Sequence, residues 1–172
     1  MNVLIYGSGQ LAQMMYLAAV PLGIKVAAVD VANHTVVDPI SKRQLDLSID
    51  EAIDQANALS VEFEHVPEDL LEQAQASGKL QPNMEAILTG ADRVREKRVL
   101  EKFGIANSQH HIVTQVNQLD AAVTELGDKL IVKASRDGYD GYGQWRLSEQ
   151  NQLPELKNTL SESFCVSGNV LF

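Results

Sequence analysis

The run NVLIYGSGQLAQMM, residues 2–15, constrains the fold more than any other stretch of the chain. NVLIY is a short apolar run ended by Gly7, which reads as a buried strand. Leu11, Met14, Met15, Ala18 and Leu22 then recur at i, i+3, i+4, i+7 and i+11, an apolar helical face expected to lie in the core. Gly23 stops that helix, and KVAAV at 25–29 is a second buried strand ending at Asp30. Strand, helix and strand in this order imply a parallel pair with a right-handed crossover. GSGQLA at 7–12 fits G-x-G-x-x-G/A between strand and helix. Gly7 permits the tight turn, Gly9 lets a ligand approach the backbone, and Ala12 allows close helix packing. The helix start offers amides to an anion, so the motif predicts an anion or nucleotide here. A dinucleotide reading places Asp30 on a ribose hydroxyl; a plain tight turn is the alternative.

Strand and helix signals continue to alternate up to residue 90. SIDEAIDQANA at 48–58 carries a serine cap and acidic first turns. LSVEF at 59–63 alternates like a strand, and VPEDLLEQAQASG has proline at a helix start and glycine at its end. This rhythm predicts a small open parallel sheet. Beyond it, GADRVREKRVLEKFG reads as one charged helix between two glycines, with Val99, Leu100 and Phe103 on its buried side. SQHHIVT reads as a strand, Leu119, Ala122, Val123 and Leu126 as a helical face, and KLIVKA and QWRL as two strands around a glycine loop. The boundary falls near 91–95, giving domains 1–93 and 94–172.

Composition narrows the partners. The net charge of −9 repels phosphate backbones and argues against nucleic acid. No run of eighteen apolar residues predicts a membrane span, and the N-terminus lacks the basic region of a signal peptide. The single Cys165 cannot close an internal disulfide, which fits a cytoplasmic protein.

The second glycine motif is GYDGYG at 138–143, in VKASRDGYDGYGQW. A glycine-rich hairpin can fold over a triphosphate and give amides to its oxygens, with Lys133 on the entering strand as a nearby cation. A mobile surface hairpin with a solvated lysine is the plainer alternative.

YGSGQLAQMM, VEFEHVP at 61–67, ADR at 91–93 and VKASRDGYDGYGQWRL at 132–147 together resemble the N5-carboxyaminoimidazole ribonucleotide synthetases of the ATP-grasp superfamily. The resemblance runs from residue 1 to about 165. It implies an α/β fold: a Rossmann-like pre-ATP-grasp domain followed by the lid part of an incomplete ATP-grasp domain. It also implies a reaction in which ATP activates bicarbonate as carboxyphosphate and 5-aminoimidazole ribonucleotide becomes N-carboxylated in purine biosynthesis. Mg²⁺ would accompany ATP, with its ligands expected beyond Phe172. By resemblance Arg93, Lys133, Gly138, Tyr139, Asp140, Gly141, Tyr142, Gly143 and Gln144 serve ATP. Gly7, Gly9, Gln10, Leu11, Glu62, Glu64 and again Tyr139 serve the ribonucleotide. No catalytic residue and no metal ligand is singled out, and a homodimer is expected from the family.

The chain departs from the family pattern at Ala12, Gln13, Asp137 and Tyr142, the last standing where many members carry a cation for the ribonucleotide phosphate. It is also about half a family member's length, so it is expected to be inactive alone. The rival readings are a non-catalytic nucleotide-binding or partner-dependent half-protein and an NAD-binding module. Adjacent His110 and His111 point to opposite faces of a strand and should not share a metal. His65, Cys165, Met14 and Met15 are read as structural.

Overall fold

The computed structural model describes residues 1–127, 129–136, 138, 142–149, 152–159 and 164–168. The chain divides into two compact units, Met1–Leu88 and Thr89–Phe172, and Arg93 falls in the second.

The first unit is built on a four-stranded sheet of order β3-β2-β1-β4. β1 (Asn2–Tyr6) lies parallel to both β2 (Lys25–Asp30) and β4 (Ala58–Val61). β3 (Thr35–Val37) runs antiparallel to β2, so the sheet is mixed rather than the fully parallel one the βα rhythm predicts. A strand of three residues leaves too short a pattern to be read from sequence. α2 (Ile49–Gln55) begins with a capping box, in which the Ser48 side chain accepts from the Glu51 amide and Glu51 reaches back to Ser48. α3 (Glu68–Ala76) and the first turn of α4 (Met84–Ala91) complete the unit. Its main core gathers Leu4, Tyr6, Val29, Leu59, Leu71 and Ile87.

α1 (Gln10–Ala19) corrects the sequence reading. Its apolar stripe faces outward: Leu11 is 49% exposed, Met14 56% and Leu22 72%. The helix packs inward through Ala12 and Ala19, and Ala12 joins Ile5, Ala28 and Val37 in a small core of its own. Only a short side chain lets the helix lie this close to the sheet.

In the second unit, residues 90–104 do not form one helix. α4 stops at Ala91, and α5 (Arg93–Lys102) restarts after Asp92, whose carboxylate accepts from the Val94 and Arg95 amides at 2.8 and 3.2 Å. α5 has no buried residue, and Phe103, expected on its inner side, is exposed beneath the Lys102 ammonium. The sheet has the order β5-β8-β6-β7, with every pair antiparallel. Its strands are β5 (His110–Val113), β6 (Leu130–Ala134), β7 (Gln144–Leu147) and β8 (Phe164–Gly168). α6 (Leu119–Leu126) and α7 (Leu153–Thr159) cover it around Leu119, Val123, Leu130, Val132, Leu147 and Leu156. The Cys165 side chain lies outside the described residues.

Candidate functional site

β1 delivers the first glycine turn to the head of α1, and β4 delivers Glu62 beside it. The register that pairs Tyr6 with Val61 continues one residue further, where the Glu62 amide donates to the Tyr6 carbonyl at 2.8 Å. The Glu62 carboxylate therefore lies across the turn. One oxygen accepts from the Gly9 amide at 2.6 Å, and the other from the Leu11 amide at 2.9 Å. These are charge-assisted bonds to the positive end of a helix.

Both glycines are required. Gly7 has φ +112°, and a Cβ there would lie 2.6 Å from the Glu62 Cβ and 2.9 Å from the Phe63 ring. A Cβ on Gly9 would meet a Glu62 carboxylate oxygen at 2.5 Å. The close approach that the motif predicts is therefore an approach by the protein's own carboxylate.

Asp30 likewise serves its own loop. It accepts from the Asn33 side chain at 2.9 Å and from the Ala32 and Asn33 amides at 3.1 and 3.2 Å. The Asn33 side chain is the largest influence and, with the two amides, holds its pKa below the usual value against the opposing effect of burial. With Glu62 on the amides and Asp30 turned to its own loop, the geometry does not favour the dinucleotide reading. Gln10 is exposed at the first position of α1. Glu64 is exposed and lies 3.7 Å from the His65 ring.

The second glycine loop joins β6 to β7. Lys133, half-buried on β6, pairs in register with Gln144 of β7 and Cys165 of β8. The hairpin closes where the Ala134 amide donates to the Gly143 carbonyl at 2.8 Å. Gly143 has φ +63°, and a Cβ there would lie 3.1 Å from that of Ala134 and 3.4 Å from the Gly138 Cα. The two ends of the loop are thus pressed together, leaving no room for side chains.

Arg93 fastens this base. Its amide donates to the Ser135 carbonyl at 2.8 Å, and its guanidinium donates to the Gly138 carbonyl at 3.3 Å. Asp92, which sequence reasoning passed over, holds Arg136 as well as the start of α5, with Arg136 Nε 3.2 Å from its carboxylate. Burial pushes the Asp92 pKa up, but the Arg95 amide, the Arg136 guanidinium and the Val94 amide together outweigh it and hold it low. Tyr142 is 70% exposed. Asp137, Tyr139, Asp140 and Gly141 lie outside the described residues.

His110 and His111 diverge as their strand position requires. The His110 ring lies 3.2 Å from Glu101 of α5, and the His111 ring 2.8 Å from Glu125 of α6. Among the described residues no group of three His, Cys, Asp or Glu side chains could hold a metal. Nor is any helix among them long and apolar enough to cross a membrane.

Residues 1–90 match the family model of the ribonucleotide synthetase preATP-grasp domain. The chain belongs to that family. Residues 98–172 match the ATP-grasp domain, so the chain combines a preATP-grasp unit with ATP-grasp sequence, as the resemblance implies. It is 40% identical over 162 residues to the N5-carboxyaminoimidazole ribonucleotide synthase of Vibrio parahaemolyticus, covering 94% of this chain and 43% of the relative. A crystal structure of an N5-carboxyaminoimidazole ribonucleotide synthetase with ADP matches at TM-score 0.81 and 24% identity, over 99% of this chain and 47% of that one. The Aspergillus clavatus enzyme with ATP matches at TM-score 0.78 and 26% identity, over 98% and 47%. The chain thus spans less than half the length of these relatives.

Within the ribonucleotide synthetase frame, the first unit brings Gly7, Gly9, Leu11 and Glu62 together at one turn. The second brings Arg93, Gly138 and Gly143 together at the base of one hairpin. Sequence reasoning missed Lys42, whose ammonium lies on the same turn as Glu62.

Proposed function

We propose that the protein carrying this chain is an ATP-dependent carboxylase of 5-aminoimidazole ribonucleotide. Bicarbonate attacks the γ-phosphorus of ATP, giving carboxyphosphate and ADP. Carboxyphosphate releases CO2 and phosphate. The ring amine adds to CO2 and loses a proton, leaving the N5-carboxylated ribonucleotide. The reading is supported above all by the hairpin that sets Lys133 on the strand entering a loop whose base Arg93 ties to Ser135 and Gly138. Phosphoryl transfer asks for such positioned cations and amides rather than a covalent nucleophile. Carboxyphosphate also needs water kept away, which a loop over the triphosphate supplies.

In this proposal Lys133, Arg93 and the loop from Gly138 to Gln144 hold ATP. Gly7, Gly9, Gln10, Leu11, Glu62 and Glu64 form the ribonucleotide side, and the resemblance assigns Tyr139 to both substrates. Mg²⁺ would neutralise charge on the ATP phosphates, but the described side chains do not make a site for it, and no step here is routed through it. A cytoplasmic homodimer belongs to the same proposal. It is supported by the outward apolar face of α1, in a stretch from Gly7 to Ile24 without a charged residue in a chain of net charge −9.

The test is ADP release by the whole protein. The expected result is release that requires both bicarbonate and the aminoimidazole ribonucleotide. ATP hydrolysis indifferent to both would sink the assignment, and ribonucleotide binding without turnover would favour the non-catalytic reading.

A further inference from the structure

The Ser8–Gly9 peptide is held at both of its poles. Its N–H belongs to Gly9 and donates to the Glu62 carboxylate at 2.6 Å. Its C=O belongs to Ser8 and accepts from the Lys42 ammonium. The same ammonium donates to the Gly9 carbonyl at 3.3 Å and to the Pro39 carbonyl at 2.6 Å. An ammonium has three N–H donors and no acceptor, so these three carbonyls occupy all of it.

A dedicated loop puts Lys42 there. After β3, the Asp38 carboxylate accepts from the Ile40 amide at 3.0 Å, the Ser41 amide at 2.7 Å and the Ser41 hydroxyl at 2.9 Å. Asp38 and Arg43 are joined by a backbone bond of 2.9 Å, and Val37 bridges Gln44. Lys42 closes this loop with φ +60°, a conformation that lysine rarely adopts. The loop reaches the turn across 34 residues of sequence.

We propose that Lys42 is a positioning residue for the glycine turn. An anion at the N–H end and a cation at the C=O end fix the plane of one peptide. Rotating that plane by half a turn would set a carbonyl against the Glu62 carboxylate and an N–H against the Lys42 ammonium. With Lys42 in place, the amides of Gly9 and Leu11 stay on Glu62, and the turn keeps a single surface for its ligand. The proposal rests on the reading of this turn as the ribonucleotide side of the site.

The experiment compares wild type, Lys42→Met and Lys42→Arg. The Gly9 and Leu11 amide resonances are followed in the 172-residue chain, and the affinities for aminoimidazole ribonucleotide and ATP in the whole protein. Lys42→Met should move both amide resonances and weaken the ribonucleotide about tenfold while ATP stays within about twofold. Lys42→Arg, which keeps the charge in another shape, should recover part of both effects. Amides that do not move in Lys42→Met overturn the proposal. So does an unchanged ribonucleotide affinity, or an arginine variant no better than methionine. If Lys42→Met fails to fold, Lys42→Arg against wild type decides, because an altered donor shape must still shift the Gly9 amide. A wild-type protein that ignores the ribonucleotide defeats the substrate reading, whereas the amide comparison still judges Lys42.

Discussion

Two glycine-rich loops of this chain look alike in composition and differ in what fills them. The turn at residues 7–9 is charged from within, by Glu62 on its amides and Lys42 on its carbonyls. The hairpin loop is fastened at its base, by Arg93, Gly138 and Gly143. Glycine in the first loop makes room for the protein's own side chains; in the second it lets two strands close on each other. Substitutions in the turn should therefore cost stability first, and substitutions beside the hairpin should cost ligand affinity first.

The largest expected effect is that of Gly7→Ala. The positive φ and the 2.6 Å approach to the Glu62 Cβ should together cost the first unit about 3 kcal/mol. Thermal unfolding checks this, with a fall in Tm of about 10 °C or more expected. A variant as stable as wild type would mean the turn is looser than its contacts imply.

Lys133→Ala comes next and tests the other half of the comparison. ATP affinity should fall at least about tenfold in a calorimetric titration, while stability changes by less than about 0.5 kcal/mol. Equal ATP affinity would remove the lysine from the phosphate site and leave the hairpin a structural element.

The smallest effect at neutral pH belongs to Tyr6, on the strand that leads into the turn. Its ring is fully buried, and its hydroxyl has no hydrogen-bond partner among the described residues. Burial, with a contribution from the Asp50 carboxylate, pushes its pKa up to about 12. Because the folded protein holds this proton more tightly than the unfolded chain, stability is lost as pH rises from 10 towards 12, by about 2–3 kcal/mol in all. Tyr6→Phe should be within about 1 kcal/mol of wild type at pH 7 and should show a flatter alkaline limb. Identical alkaline limbs would exclude Tyr6 as the group responsible.

Local pattern was enough wherever one element explained itself. The opening strand, turn and helix, the Ser48–Glu51 capping box and the β6–β7 hairpin all carry their signals within a few residues. The inward face of α1 did not. Nearly every residue of that helix is apolar, so periodicity could not distinguish the stripe of large side chains from the small Ala12 and Ala19 that touch the sheet. The break before α5 hid in the same way, because Asp92 is both a tolerable helix residue and a strong cap. Glu62 was legible at the site through family resemblance, but its role as the turn's internal anion was not. Lys42 carries no signal at all, since the link from its loop to Ser8 exists only after the chain has folded.

The paired histidines of β5 have a practical consequence. One ring leans on Glu101 and the other on Glu125, so adjacent positions in the chain look towards two different helices. Each imidazole is thus a native spectroscopic reporter. A ligand that disturbs α5 should move the His110 ring signals, one that disturbs α6 should move those of His111, and a shift of the sheet against both helices should move the two together.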